Sequence, residues 1–171
     1  MRLLEAELHR IKLPLVRPFR TSFGTESVRD ILLVKLTTDV GIGWGECVAG
    51  EEPFYFEEFV DGAQIVIERW LIPMLKRAGD FTSADVAHLL QKVKGHRSAK
   101  ASVEMAVMDA ELRARGVSLA SHLGGVRSHV DVGVSVGIPD SIDDLVSIVG
   151  AHVDEGYARV KLKVEPCLLY T

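Results

Sequence analysis

The run YARVKLKVEP, residues 157–166, sets Arg159, Lys161 and Lys163 at alternate positions among mostly apolar residues. Residues two apart on a strand project to one face, so Lys161 and Lys163 point together while Val160, Leu162 and Val164 point the other way. A buried strand does not normally carry charge at every second position, and two arrangements account for it here. In one, the lysines blunt an edge strand against pairing with other chains. In the other, the apolar face packs on helices and the lysine face lines the interior of a barrel. There the two ammonium groups, about 7 Å apart along the strand, oppose each other's charge. Burial adds to that opposition, and one lysine becomes able to act as a base. Catalytic residues of a β/α barrel sit at the C-terminal ends of its strands. Both lysines fall in the last half of this strand, and Ser135 falls toward the end of the preceding one. A small residue filling a crowded barrel layer is the plainer reading of Ser135.

The elements that must position these groups divide the chain into unlike halves. Residues 2–13 alternate as a strand, with Leu4, Ala6 and Leu8 on one side and Glu5, Glu7 and His9 on the other. VRPFRTSFGT reads as a loop marked by Pro18 and Gly24, RDILLVKLTTD as a strand of branched residues, and DVGIG as the glycine-rich turn into IGWGECVA. Phe59, Ala63, Ile67 and Leu71 then recur at spacing four until Pro73 disturbs the pattern. Thr82 and Asp85 are spaced as a capping box before a second helix, and a third is predicted from about Ser98 to Arg115, closing at Gly116. Strands followed by helices make this part α+β.

After HLGGVRS the pattern changes. HVDVGVSVGI alternates as a strand, SIDDLVSIVGAHVDEGY reads as a helix with Ser141 and Asp144 spaced to cap it, and ARVKLKV is the next strand. Strand, helix and strand form a βαβ crossover, which implies parallel pairing in one sheet. One such unit leaves both faces of its sheet uncovered, so the second domain reads as begun and unfinished. The predicted division is an α+β domain over 1–125 and the start of a barrel over 126–171.

The chain has 171 residues, 47% hydrophobic and 26% charged, with a formal net charge of −4. That is globular composition, and no basic excess exists to neutralise the phosphates of a nucleic acid. Cys47 and Cys167 are the only cysteines and lie outside any C-x-x-C spacing, which excludes a zinc ribbon or disulfide framework and fits a reducing compartment. The N-terminal MRLLEAELHRIKLPL interleaves charge with apolar residues, unlike a signal peptide or membrane span. The expectation is a cytoplasmic protein without nucleic-acid or membrane partners.

Four motifs in order, PFRTSFGT, DVGIGWGE, KGHRSAKASVEMAVMDAE and the two-lysine VKLKV, resemble the enolase superfamily. Within it they resemble the muconate-lactonising subgroup, and there the o-succinylbenzoate synthases and N-succinylamino acid racemases. GVSVGI followed by EGYARVKLK is the most specific part of the likeness. It implies a capping domain over the mouth of a TIM-type barrel that begins near Val130. It also implies an enzyme that removes the proton α to a carboxylate with a lysine base and Mg²⁺. Lys163 would be that acid/base, Lys161 its charged neighbour and a hold on the carboxylate, and Ser135 a substrate contact. Arg20, Thr21, Ser22, Phe23 and Gly24 would fold over the substrate and help select it. The substrate would be a small carboxylate bearing a succinyl group, and the pathway menaquinone biosynthesis for a synthase, the activity this resemblance favours over racemisation. A homo-oligomer is compatible with it.

The family follows its two-lysine strand with Pro-Gly-x-Asp and further barrel units that carry the three metal-binding carboxylates and a second lysine. Here Pro166 leads into Cys167, Leu168, Leu169, Tyr170 and Thr171, which does not match, so no metal-binding residue is predicted and the 171-residue chain alone is expected to be inactive. An interrupted fragment, or a small α+β module whose lysines grip an anion, are the alternatives. Glu46 is expected to be structural, KGHRSAK a solvated connection, and His152 a surface residue.

Overall fold

The computed structural model describes residues 1–165. The departure from the family pattern after Pro166 lies outside them. Contacts divide the chain into two units: Met1–Leu13 with Arg29–Val126, and Pro14–Val28 with the chain from Arg127 onward. The sequence division at 125/126 assigns the segment around residue 20 to the first part.

β1 (Leu3–Thr21), β2 (Gly24–Thr38) and β3 (Gly41–Cys47) form a sheet in the order β1-β2-β3; the ends of β1 and β2 from Pro14 to Val28 belong to the second unit and the rest to the first. β2 pairs antiparallel with β3 in a register running from Leu32 opposite Cys47 to Thr38 opposite Gly41. The side chains alternate as predicted, so Leu32, Val34 and Leu36 are fully buried. On β1, Ala6 and Leu8 pack against the core, but it is Leu3 that is buried and Leu4 that is exposed.

The segment predicted as a loop at VRPFRTSFGT is instead the far end of a long hairpin. β1 runs through Pro14 and Pro18, and only Ser22 and Phe23 form the turn. Proline in a run normally argues against a strand because it cannot donate to the ladder. β1 is an edge strand, however, and on its unpaired side a missing N–H costs nothing.

Helix α1 (Val60–Val66) continues through a π-turn (Ile67–Leu71) into α2 (Ile72–Ala78). Pro73 therefore does not end the helix. The wider turn, in which the Ile72 amide donates to the Ile67 carbonyl, precedes the proline and relieves the clash its ring would make four residues back. Thr82 caps as predicted: its amide donates to Asp85 Oδ2 at 2.9 Å, ahead of a 3-10 turn and the short α3 (Val86–Leu89).

α4 (Arg97–Ala114) lies directly on β3, and its small stripe Ala99, Ser102, Ala106 and Ala110 is wholly buried. Gly43, which the sequence placed in the turn, and Gly45 belong to this contact. A Cβ at Gly43 would sit 2.0 Å from the Ala106 carbonyl oxygen, and one at Gly45 1.9 Å from that of Ser102. The predicted solvated start of α4 is also different. Glu58, buried, accepts from the Ser98 amide at 2.9 Å and the Ala99 amide at 3.1 Å, so an internal carboxylate closes the helix N-terminus.

The short α5 (Leu119–His122) follows α4, and in the second unit β4 (Val134–Val136) and β5 (Val160–Leu162) pair in parallel across α6 (Ile142–Asp154), the predicted crossover. The strand is shorter than HVDVGVSVGI suggested, and Val130 and Val132 are exposed. Ser141 caps α6, its hydroxyl oxygen accepting from the Asp144 amide at 3.1 Å.

Candidate active site

Ladder register decides which side chains of the second unit meet. Val134 stands opposite Val160, Ser135 opposite Lys161, and Val136 opposite Leu162. Ser135 and Lys161 are therefore neighbours on one face, and the valines and Leu162 occupy the other. Lys163 follows directly after β5. Its amide donates to the Val136 carbonyl at 3.0 Å, which continues the ladder one step and keeps its side chain in the alternation with Lys161. Lys161 and Ser135 are exposed, and Lys163 is half-buried with its ammonium 6.0 Å from the centroid of the Phe19 ring.

The hairpin tip lies in this same unit. Thr21 Oγ1 donates to the Gly24 carbonyl at 3.2 Å and accepts from the Phe23 amide at 3.2 Å, bracing the turn at Ser22 and Phe23. Gly24 has φ +150°, a conformation that residues with side chains rarely adopt. Arg20 pairs with Glu165 at 2.8 Å and with the exposed Asp140 at 3.5 Å, while its carbonyl accepts from the Ile138 amide at 2.9 Å. Arg20 to Gly24 thus lie in one unit with Ser135, Lys161 and Lys163.

Phe19, Asp140 and Glu165 escaped the sequence reading. Glu165 was within reach of it, because it continues the alternation of Lys161 and Lys163 by one more step. Phe19 and Asp140 gave no periodic signal. A cleft of about 270 Å³ in this unit is lined by Arg17, Phe19, Ser135, Gly137, Ile148 and His152 among others, and does not take in either lysine. His152 is not the surface residue expected: its side chain is 13% exposed, packed edge-on against Tyr157 with its Nδ1 3.1 Å from Glu155 Oε2. Glu46 is exposed on β3. Among the described residues no group of three or more His, Cys, Asp or Glu could hold a metal ion, and no helix is long and apolar enough to cross a membrane.

An α+β domain leading into parallel strands that carry alternating lysines is the capping domain and opening βαβ unit of a β/α-barrel enzyme. The chain belongs to the mandelate racemase / muconate lactonizing enzyme family of the enolase superfamily, whose N-terminal domain matches residues 5–124. It is 55% identical over 166 residues to the N-succinylamino acid racemase of Amycolatopsis sp, covering 97% of this chain and 45% of that one. It is 36% identical over 163 residues to the o-succinylbenzoate synthase of Listeria innocua, covering 95% and 44%. The crystal structure of an enolase superfamily member from Listeria innocua superposes with a TM-score of 0.90 at 35% identity, over 98% of this chain and 45% of that one. The chain thus spans less than half the length of these relatives.

Proposed function

We propose that the protein carrying this chain removes the proton α to a carboxylate from a small substrate bearing a succinyl group, as an o-succinylbenzoate synthase. The observation that carries the reading is the register that sets Ser135 beside Lys161 with Lys163 next in the same alternation. Lys163 takes the proton, Lys161 holds a carboxylate oxygen, and Ser135 contacts the substrate. Arg20, Thr21, Ser22, Phe23 and Gly24 cover it. A single acid/base on one face suffices for elimination of water, because the same ammonium can protonate the departing hydroxyl. Racemisation needs a second acid/base on the opposite face. It remains a second activity of the same site, favoured by the higher identity to the Amycolatopsis racemase.

Mg²⁺ belongs to this proposal through the family. The described residues do not supply a site that fits it, so the reading routes no step through the metal. A cytoplasmic location, a role in menaquinone synthesis and a homo-oligomeric state are parts of the same proposal. The test, by the full-length protein with Mg²⁺, is proton loss in D2O from each substrate class: elimination of water from a succinyl-bearing β-hydroxy acid, and α-proton exchange of an N-succinylamino acid. Lys163→Ala should slow exchange by about 10²–10⁴-fold, the usual worth of a positioned acid/base, while substrate binding persists. Lys161→Ala should weaken binding. Exchange at the unaltered rate in Lys163→Ala would overturn the assignment.

A further inference from the structure

The hairpin tip needs a seat, and the backbone at the end of β4 provides one. Beyond β4 the chain passes through Gly137 and Ile138, two and three residues after Ser135. The Ile138 amide donates to the Arg20 carbonyl at 2.9 Å, so the tip is bound to this segment through main-chain atoms. That bond requires the two backbones to lie close together. A Cβ at Gly137 would stand 3.1 Å from both the amide nitrogen and the carbonyl oxygen of Arg20, and 3.4 Å from Cδ2 of Phe19. Contacts of 3.1 Å to backbone atoms are tighter than side chains normally accept, and backbone cannot swing aside as the end of a long side chain can. Phe19 is the residue whose ring faces the Lys163 ammonium.

Gly137 is not among the glycines with positive φ, so its backbone conformation is open to any residue. The three atoms nearest to a side chain added at this position all belong to the tip. We infer that Gly137 is a positioning residue: the absence of a side chain there lets the hairpin tip seat on the end of β4, which fixes Phe19 and Arg20 beside Ser135 and Lys163. This rests on the proposed function for its kinetic consequence, but the seat itself is independent of it.

Gly137→Ala isolates the contact, since it adds one methyl group without straining the backbone. Gly150→Ala on α6 is the control, because a Cβ there meets nothing within 4 Å. In the full-length protein, Gly137→Ala should speed amide exchange at Ile138 and raise KM for an N-succinylamino acid, each by about tenfold, with kcat changed much less. Gly150→Ala should do neither. Unchanged exchange at Ile138 overturns the seat, and faster exchange with unchanged KM overturns the positioning role. Loss of kcat equal to the rise in KM, with a lower Tm, would reduce Gly137 to a folding residue and overturn it too. If no variant, nor the unaltered protein, turns over the substrate while Ile138 exchange still responds, the functional reading fails and the seat stands. Should Gly137→Ala not fold, Ile138 exchange in the unaltered protein with and without the N-succinylamino acid decides. Slower exchange with the substrate supports the seat, and no change overturns the positioning role.

Discussion

The contact of α4 on β3 and the crossover β4–α6–β5 are both helices laid on strands, yet they are finished to different degrees. In the first, Val103, Ala106, Val107 and Ala110 are fully buried and two glycines let the backbones approach. In the second, α6 has no buried residue, and Ile142, Val146, Val153, Leu162 and Val164 are exposed. Both helices have a closed N-terminus, α4 through Glu58 and α6 through Ser141. Local pattern therefore makes the elements in either region, and long-range closure separates them, since most helical stability in proteins comes from packing rather than propensity.

The comparison can be broken most sharply at Gly45. A methyl group there would need the space of the Ser102 carbonyl, so Gly45→Ala should cost about 3 kcal/mol or more, read as a lowered denaturation midpoint. A loss below 1 kcal/mol would mean that the helix simply lifts. Glu58→Ala should come next. It strands the Ser98 and Ala99 amides in a buried setting, and about 2 kcal/mol is expected. Chemical denaturation checks it, and Glu58→Gln should recover part of the loss.

Acid should act on the first unit through a smaller effect. The Arg10 guanidinium, donating to both oxygens of Asp30 at 2.7 Å, holds that carboxyl below the usual range, and the Ser83 amide at 2.8 Å does the same for Glu111. Folded values below unfolded ones mean that this stability is complete above the ordinary carboxylate range near pH 4. It is lost as pH falls through the depressed folded values. Asp30→Asn should flatten the decline between about pH 5 and pH 2; an unaltered acid profile would show that the pair contributes nothing. The smallest expected effect is in the second unit. Ser141→Ala should cost about 1 kcal/mol of α6 stability, seen as faster amide exchange over α6 with α4 unmoved. Faster exchange in both would show that the two regions fold as one.

What could be read from the sequence was whatever local chemistry dictates. Thr82 with Asp85, and Ser141 with Asp144, announce helix starts because a short polar side chain three residues before an acid satisfies the first amides whatever lies around it. The alternation through Lys161 and Lys163, and the crossover that makes their strand parallel to that of Ser135, follow from period and handedness. Misreadings came where a distant neighbour decides. Pro18 looked like a loop because edge position is not a property of a segment. Gly43 looked like part of a turn because the helix it meets lies more than fifty residues away. The start of α4 looked solvated because its counter-charge comes from Glu58. In the candidate site, the residues that carry charge were visible, while the backbone meeting of Arg20 with Ile138 leaves no trace in residue type except a glycine.

The π-turn at Ile67–Leu71 has a consequence for insertions and deletions. An α-helix advances about 100° per residue, so positions four apart drift by roughly 40° at each step. Ala63, Ile67, Leu71 and Leu75, all buried, are spaced by four throughout, and an unbroken α-helix would carry Leu75 about 120° around from Ala63. The one wide turn takes up part of that rotation and brings the stripe back into phase. Removing a single residue between 67 and 71 would leave a regular α-helix in which Leu75 stands only about 20° around from Ala63, so that deletion keeps the stripe in phase, while one elsewhere in α1 or α2 would turn the second half by about 100°.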